Sequence, residues 1–309
     1  MRRWSVNLIC ALAWASAPST LAQPAPRSAP TESVTVTAPG TVPEQAAHDF
    51  VKSFTGVSPA SGKIARWRLG VCPVVTGLPP SGNTLVSARV RQVAALAGAP
   101  VGDTSCKPNT DIVFTLNPQV LLDGIRAKDR VLLGYHDPAQ EKELATVRHP
   151  VQAWYVTQSV DLNGTTYIDD KLRNHGGFYI QVAPGSFVFV PDARVTHVTG
   201  SHLSDGVSSE LNHAVIVIDL AKVTGLTVGA LTDYVAMLAL SQTQSFETCA
   251  PMASITNLVS AQCDVAVKPD EITSADLSYL HGLYSVDPRA SLMRQKEEIA
   301  ARMEQGAGQ

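Results

Sequence analysis

The segment from Val228 through Ser241, VGALTDYVAMLALS, has the length of a helix and carries one charged side chain, Asp233. A helix that is apolar on every side has no face to offer water, so the rest of the chain must wrap around it. It is too short to cross a bilayer, which takes roughly 20 apolar residues, so the wrapping has to be protein. Thr227 or Thr232 can cap it, Ser241 ends it, and it runs into a turn held between Cys249 and Cys263. The chain is expected to organise itself around Val228 to Asn257.

The strand such a helix packs on is visible just upstream. Ala214 to Leu220, AVIVIDL, is apolar on both faces and suits the middle of a covered sheet. Further upstream, Ile64 to Val75 alternates in the manner of a strand ending near Gly77. Asn83 can then cap a helix with Leu85, Ala88, Val93 and Leu96 on its apolar side, stopped by Gly98 and Pro100. Asp111 to Leu116 is a short buried strand. A helical crossover between two strands makes them parallel.

Gln119 to Ala127 reads as another helix, with Val120, Leu121 and Ile125 inward. Val151 to Val160 reads as a strand to which Thr165 to Ile168 pairs back over an Asn163-Gly164 turn. Phe178 to Val182 and Ser186 to Val190 are two more short strands, and Arg194 to Ser209 is polar loop. Near the amino terminus, Ala47, Phe50, Val51 and Phe54 recur at helical spacing. Near the carboxyl terminus, Thr273 or Ser274 caps a helix bearing Leu277, Leu280, Leu283 and Tyr284. Leu292 to Glu304 is charged, with an Arg294 to Glu298 spacing, and is expected on the surface. The class expected from this order is α+β, with a mixed sheet and a central buried helix.

Compartment follows from the ends of the chain and from cysteine. Arg2 and Arg3, an apolar run from Leu8 to Trp14, and small residues at Thr20-Leu21-Ala22 have the layout of a secretion signal over 1–22. Residues 23–43 are rich in Pro, Ala, Ser and Thr, a composition that does not offset the entropy of ordering, and read as a flexible linker. A single domain over 44–290 and a surface helix and tail over 291–309 complete the expected division. A periplasmic or secreted location is implied.

Beyond the leader there are four cysteines, an even number suited to an oxidising compartment. Three pairings are possible; Cys72 with Cys106 and Cys249 with Cys263 are favoured because each closes a modest loop. Such loops contribute about 3 to 4 kcal/mol each in the chain-entropy model. No Cys-x-x-Cys spacing supports zinc binding by these thiols. Net charge is −3, so there is no basic footprint for nucleic acid. No membrane span is expected once the leader is removed, and the partner would be one of the envelope.

The helix Ala230 to Leu240, the turn Ala253-Ser254-Ile255-Thr256-Asn257-Leu258 and the helix opening Thr273-Ser274-Ala275-Asp276-Leu277 together resemble the ending of metzincins, a branch of the zincin metallopeptidases. They also look like a group of uncharacterised secreted bacterial proteins with degenerate zincin folds. The resemblance covers roughly the last quarter of the chain plus the element order. In that family the helix carries His-Glu-x-x-His. Here the ligand positions fall at Asp233 and Met237 and the general-base position at Tyr234. Spacing i and i+4 puts Asp233 and Met237 on one helix face. A thioether is a poor zinc ligand, and without a carboxylate at Tyr234 nothing in the motif activates a metal-bound water. Thr256 stands where the family has the methionine of its turn. The resemblance implies that Asp233 and Met237 point into a cleft above the 254–258 turn.

Two functional expectations follow. The first is a non-catalytic binding or structural module that needs no cofactor. The second is a metal-dependent hydrolase using His197, His202 and His213, which with Asp192, Asp205 and Glu210 form the densest patch of possible ligands and would suit zinc or another divalent ion. No Gly-x-Ser-x-Gly elbow and no phosphate-cradling glycine loop is present.

Overall fold

The computed structural model describes residues 42–171, 177–191, 198–199 and 204–306. The leader, most of the linker, His197 and His202 lie outside the described residues. Five strands form one mixed sheet: β1 (Pro73–Thr76), β2 (Thr110–Thr115), β3 (Val151–Val160), β4 (Thr166–Ile168) and β7 (Ser208–Asp219), in the order β1-β2-β7-β3-β4. The first three in that order run parallel, and β3 is antiparallel to both β7 and β4. β5 (Gly177–Ala183) and β6 (Ser186–Pro191) form a separate antiparallel ribbon. The α+β class with a mixed sheet is thus as the element order implies.

Alternation along β7 explains its two-sided apolar run. Ala214, Ile216 and Ile218 enter the larger core, while Val215 and Val217 enter a smaller cluster with Leu122, Leu133 and Trp154 on the opposite face. α3 (Pro118–Lys128), a 3-10 turn at Arg130–Leu133 and the short α4 (Glu141–Leu144) contribute to that smaller cluster. Five helices share the larger core: α1 (Glu44–Phe54), α2 (Pro80–Leu96), α5 (Val228–Leu240), α6 (Ser274–Ser285) and α7 (Leu292–Gln305). The result is three layers with the sheet in the middle.

At the centre lies α5, every residue from Ala230 to Leu240 buried, with the Thr227 hydroxyl accepting the Ala230 N–H as cap. α6 opens with a capping box between Thr273 and Asp276, which satisfies two otherwise free donors reciprocally. α1 packs through an aromatic cluster in which Phe50 and Phe54 meet the Tyr279 ring edge-on at 5.2 and 5.5 Å.

Several expectations are corrected. The strand expected from Ile64 is confined to Pro73–Thr76, because the chain before it changes partners: Arg66 bridges to Glu210 on β7, and Val71 bridges to Val101. α2 begins at Pro80, where proline suits the first turn, and Asn83 instead accepts the Leu78 N–H. Its buried face is Val86, Val90, Val93 and Ala94, leaving Leu85 and Leu96 exposed. Val120 is 71% exposed and Leu122 takes the inward place. β7 starts six residues earlier than its apolar run because Ser208 to Leu211 pair with β3. α7 is not merely a surface helix: Gln295, Ile299, Ala300 and Met303 are buried against α1 and α6, and only its charged face, with the Arg294–Glu298 pair, is outward.

Candidate functional site

The three positions aligned with metallopeptidase chemistry are all enclosed. Asp233 is 2% exposed, and its two oxygens accept from Arg89 of α2, at 2.5 Å from Nε and 3.0 Å from Nη2. The second oxygen also accepts the backbone N–H of Ile272 at 2.8 Å. This carboxylate ties α5 to α2 and to the loop before α6. Met237 is 0% exposed, and the buried Tyr234 phenol is pushed well above its ordinary pKa by desolvation. The cleft expected at Asp233 and Met237 is therefore replaced by an ion pair on one side and apolar packing on the other. The 254–258 turn does lie against α5, as a 3-10 turn at Ile255–Asn257.

That turn is held by two polar nodes. Asp276 accepts from Ser254 Oγ at 2.5 Å, from the N–H groups of Ile255 and Thr273 at 2.9 Å each, and from Thr273 Oγ1 at 2.8 Å. Complete burial raises its pKa, opposed but not cancelled by those hydrogen bonds. Asn257 accepts the Ala250 N–H at 2.7 Å and donates to the carbonyls of Met252 and Val267. Both expected disulfides are formed, Cys72–Cys106 and Cys249–Cys263, and the second encloses the Asn257 node. The residues behind the family resemblance are thus a hydrogen-bonded frame for the turn.

His213 lies on β7, its Nε2 at 2.9 Å from Asp111 Oδ2 on the neighbouring strand. Its proposed companions His197 and His202 fall outside the described residues. Among the described residues no three His, Cys, Asp or Glu side chains converge as a metal-binding group, and no helix is long and apolar enough to cross a membrane.

An open cleft of about 680 Å³ lies elsewhere, where five segments meet: Arg66 to Arg68, Gly98 to Pro100, Val160 with Gly164, Ser208 to Glu210, and Tyr284 to Arg289. Trp67 is fixed in its wall by an indole N–H to the Ala239 carbonyl at 2.7 Å, and Tyr284 by its hydroxyl to Leu240 at 2.7 Å. Both anchors reach back to α5, so the central helix shapes the cleft from behind. Arg66 Nη1 donates to the carbonyls of Leu283 and Val286 at the end of α6, at 2.8 and 2.6 Å, where a cation complements the helix dipole. Glu210 accepts from Arg68 at 2.5 Å and from Gln158 at 2.8 Å. Trp67 lies within the alternating Ile64 to Val75 segment, and Glu210 is one of the carboxylates near the histidine patch in sequence. Sequence reasoning missed the cleft, whose only sequence signal is the Arg66-Trp67-Arg68 alternation. Comparison with family models, curated proteins and solved structures returns no significant match for this chain.

Proposed function

We propose that the protein is an exported, non-catalytic binding module of the cell envelope, on a zincin-like fold, and that its ligand site is the cleft around Trp67 rather than the centre on α5. The observation that carries this reading is the engagement of Asp233. A carboxylate with both oxygens bonded to Arg89 and Ile272 can bind a metal only by breaking a buried ion pair, which costs several kcal/mol. Tyr234 supplies no general base, and Met237 is a weak ligand for zinc. The cleft, in contrast, has the size and mixed lining of small-molecule sites. Export is supported by the two disulfides, which persist in oxidising compartments. The leader-like first 22 residues point the same way.

The second reading, a zinc hydrolase using His197, His202 and His213, draws on one observation. Asp111 holds the His213 ring through one nitrogen, as carboxylates hold ligand imidazoles. One set of measurements addresses both readings: metal analysis of the purified protein, a peptidase panel, and NMR mapping of a fragment library. The binding-module reading expects shifts clustered at Trp67, Arg68 and Ser208 to Glu210 and no cleavage. Stoichiometric zinc with peptidase activity lost in Asp233→Ala would end it. Zinc retained by the wild type and lost in a folded His197→Ala, His202→Ala variant would establish the hydrolase reading instead.

A further inference from the structure

Three guanidinium groups line the cleft, Arg66, Arg68 and Arg289, against two carboxylates, Glu210 and Asp287. The bonding of each group decides what remains free. Glu210 is occupied on both oxygens, by Arg68 and by Gln158. Asp287 accepts the backbone N–H of Arg289 at 2.9 Å and forms no ion pair among the described residues. Arg66 uses only Nη1, so its Nε and Nη2 hydrogens have no protein acceptor among the described residues. The Arg289 guanidinium likewise has no bond there. The cleft therefore holds more cationic donors than the chain has acceptors to meet them.

A second, independent observation lies in the wall. Ser209 is fully buried, lines the cleft, and its Oγ has no hydrogen-bond partner among the described residues. Buried polar atoms are satisfied as a rule, so this wall carries a hydroxyl whose hydrogen-bonding capacity the described residues leave unused. Trp67, Pro100 and Pro288 line the same space with apolar surface, which lowers the local dielectric and strengthens any charge-assisted bond formed there.

We infer that this cleft takes a ligand through an oxyanion, a carboxylate or a phosphate, held by the free donors of Arg66 and Arg289 and bordered by Arg68. The guanidinium fork matches either group in shape and charge. The inference rests on the cleft being the binding site proposed above. Its test is calorimetric titration of the whole chain with sodium citrate and with sodium phosphate, each against sodium chloride at matched ionic strength. The wild type is compared with Arg289→Gln and Arg289→Lys, changes at an exposed side chain with no partner among the described residues, with melting temperatures as a check on folding.

Saturable binding of at least one oxyanion above the chloride control is expected, weakened about tenfold in Arg289→Gln, the loss of one charge-assisted contact, and less in Arg289→Lys. Citrate alone would identify a carboxylate ligand, phosphate alone a phosphate, and both a general oxyanion pocket. Binding no tighter than chloride, or unchanged in Arg289→Gln, overturns the inference. In that event fragment shifts mapped to the cleft leave the binding-module reading standing, and their absence removes both.

Discussion

Asp276 shows how a single buried carboxylate can hold a turn together. Its folded pKa is raised by burial, so its contribution to stability is present below the ordinary value of 3.8 and is lost as pH climbs through the raised one. Asp276→Asn removes the titration and keeps the shape, since an amide can donate to Ser254 Oγ; a cost of about 1 kcal/mol is expected. Asp276→Ala leaves the Ile255 and Thr273 N–H groups unpaired in the interior, at roughly 2 to 4 kcal/mol. In urea titrations the wild type's advantage over Asp276→Asn should be larger near pH 4 than near pH 7; the opposite ordering would show that the carboxylate is stabilising in its charged form. At this scale the sequence was readable where the deciding partners are close. The cysteine pairs close short loops, and the Thr273 to Asp276 capping box spans three residues. Arg89 was not readable as the partner of Asp233, because it lies 144 residues upstream and nothing local distinguishes it from other surface arginines.

Between elements, the Arg89–Asp233 pair is the clasp joining α2 to α5. Removing one partner of a buried pair leaves the other charge uncompensated, so Arg89→Ala should cost about 3 to 5 kcal/mol. Replacing both, as Arg89→Met with Asp233→Leu, should recover part of that loss, since an apolar pair avoids desolvating two charges while the buried Ile272 N–H loses its acceptor. Denaturant melts of the two single variants and the double variant check this, and strict additivity would show that the pair is not a coupled clasp. The long, strongly patterned elements were legible: α5 because it has no polar side, the middle of β7 because it is apolar on both faces, α6 because of its cap. Boundaries and faces were not. Pro80 starts α2 before Asn83, and burial of Val86 and Val90 rather than Leu85 is decided by where α5 sits. The 64–75 segment alternates like a strand but hands its hydrogen bonds from β7 to the 100–102 loop, a change of partner that local sequence does not encode.

Across the whole molecule, the cleft illustrates why a site assembled from five separate segments escapes a linear reading. Each segment contributes two to four residues of ordinary type, and their convergence is a property of the topology. The same scale governs α7, which buries Ile299 and Met303 against α1 and α6. Deleting residues 291–309 should uncover the faces of α1 and α6 that α7 packs on and abolish cooperative unfolding. A sharp thermal transition retained in that truncation would show α7 to be an appendage. Because α1 is completed by α7, about 240 residues on, closure is also a matter of timing. Contacts between residues so far apart form late and slowly, and a chain arriving from its amino end holds the apolar face of α1 open until the final turns are delivered.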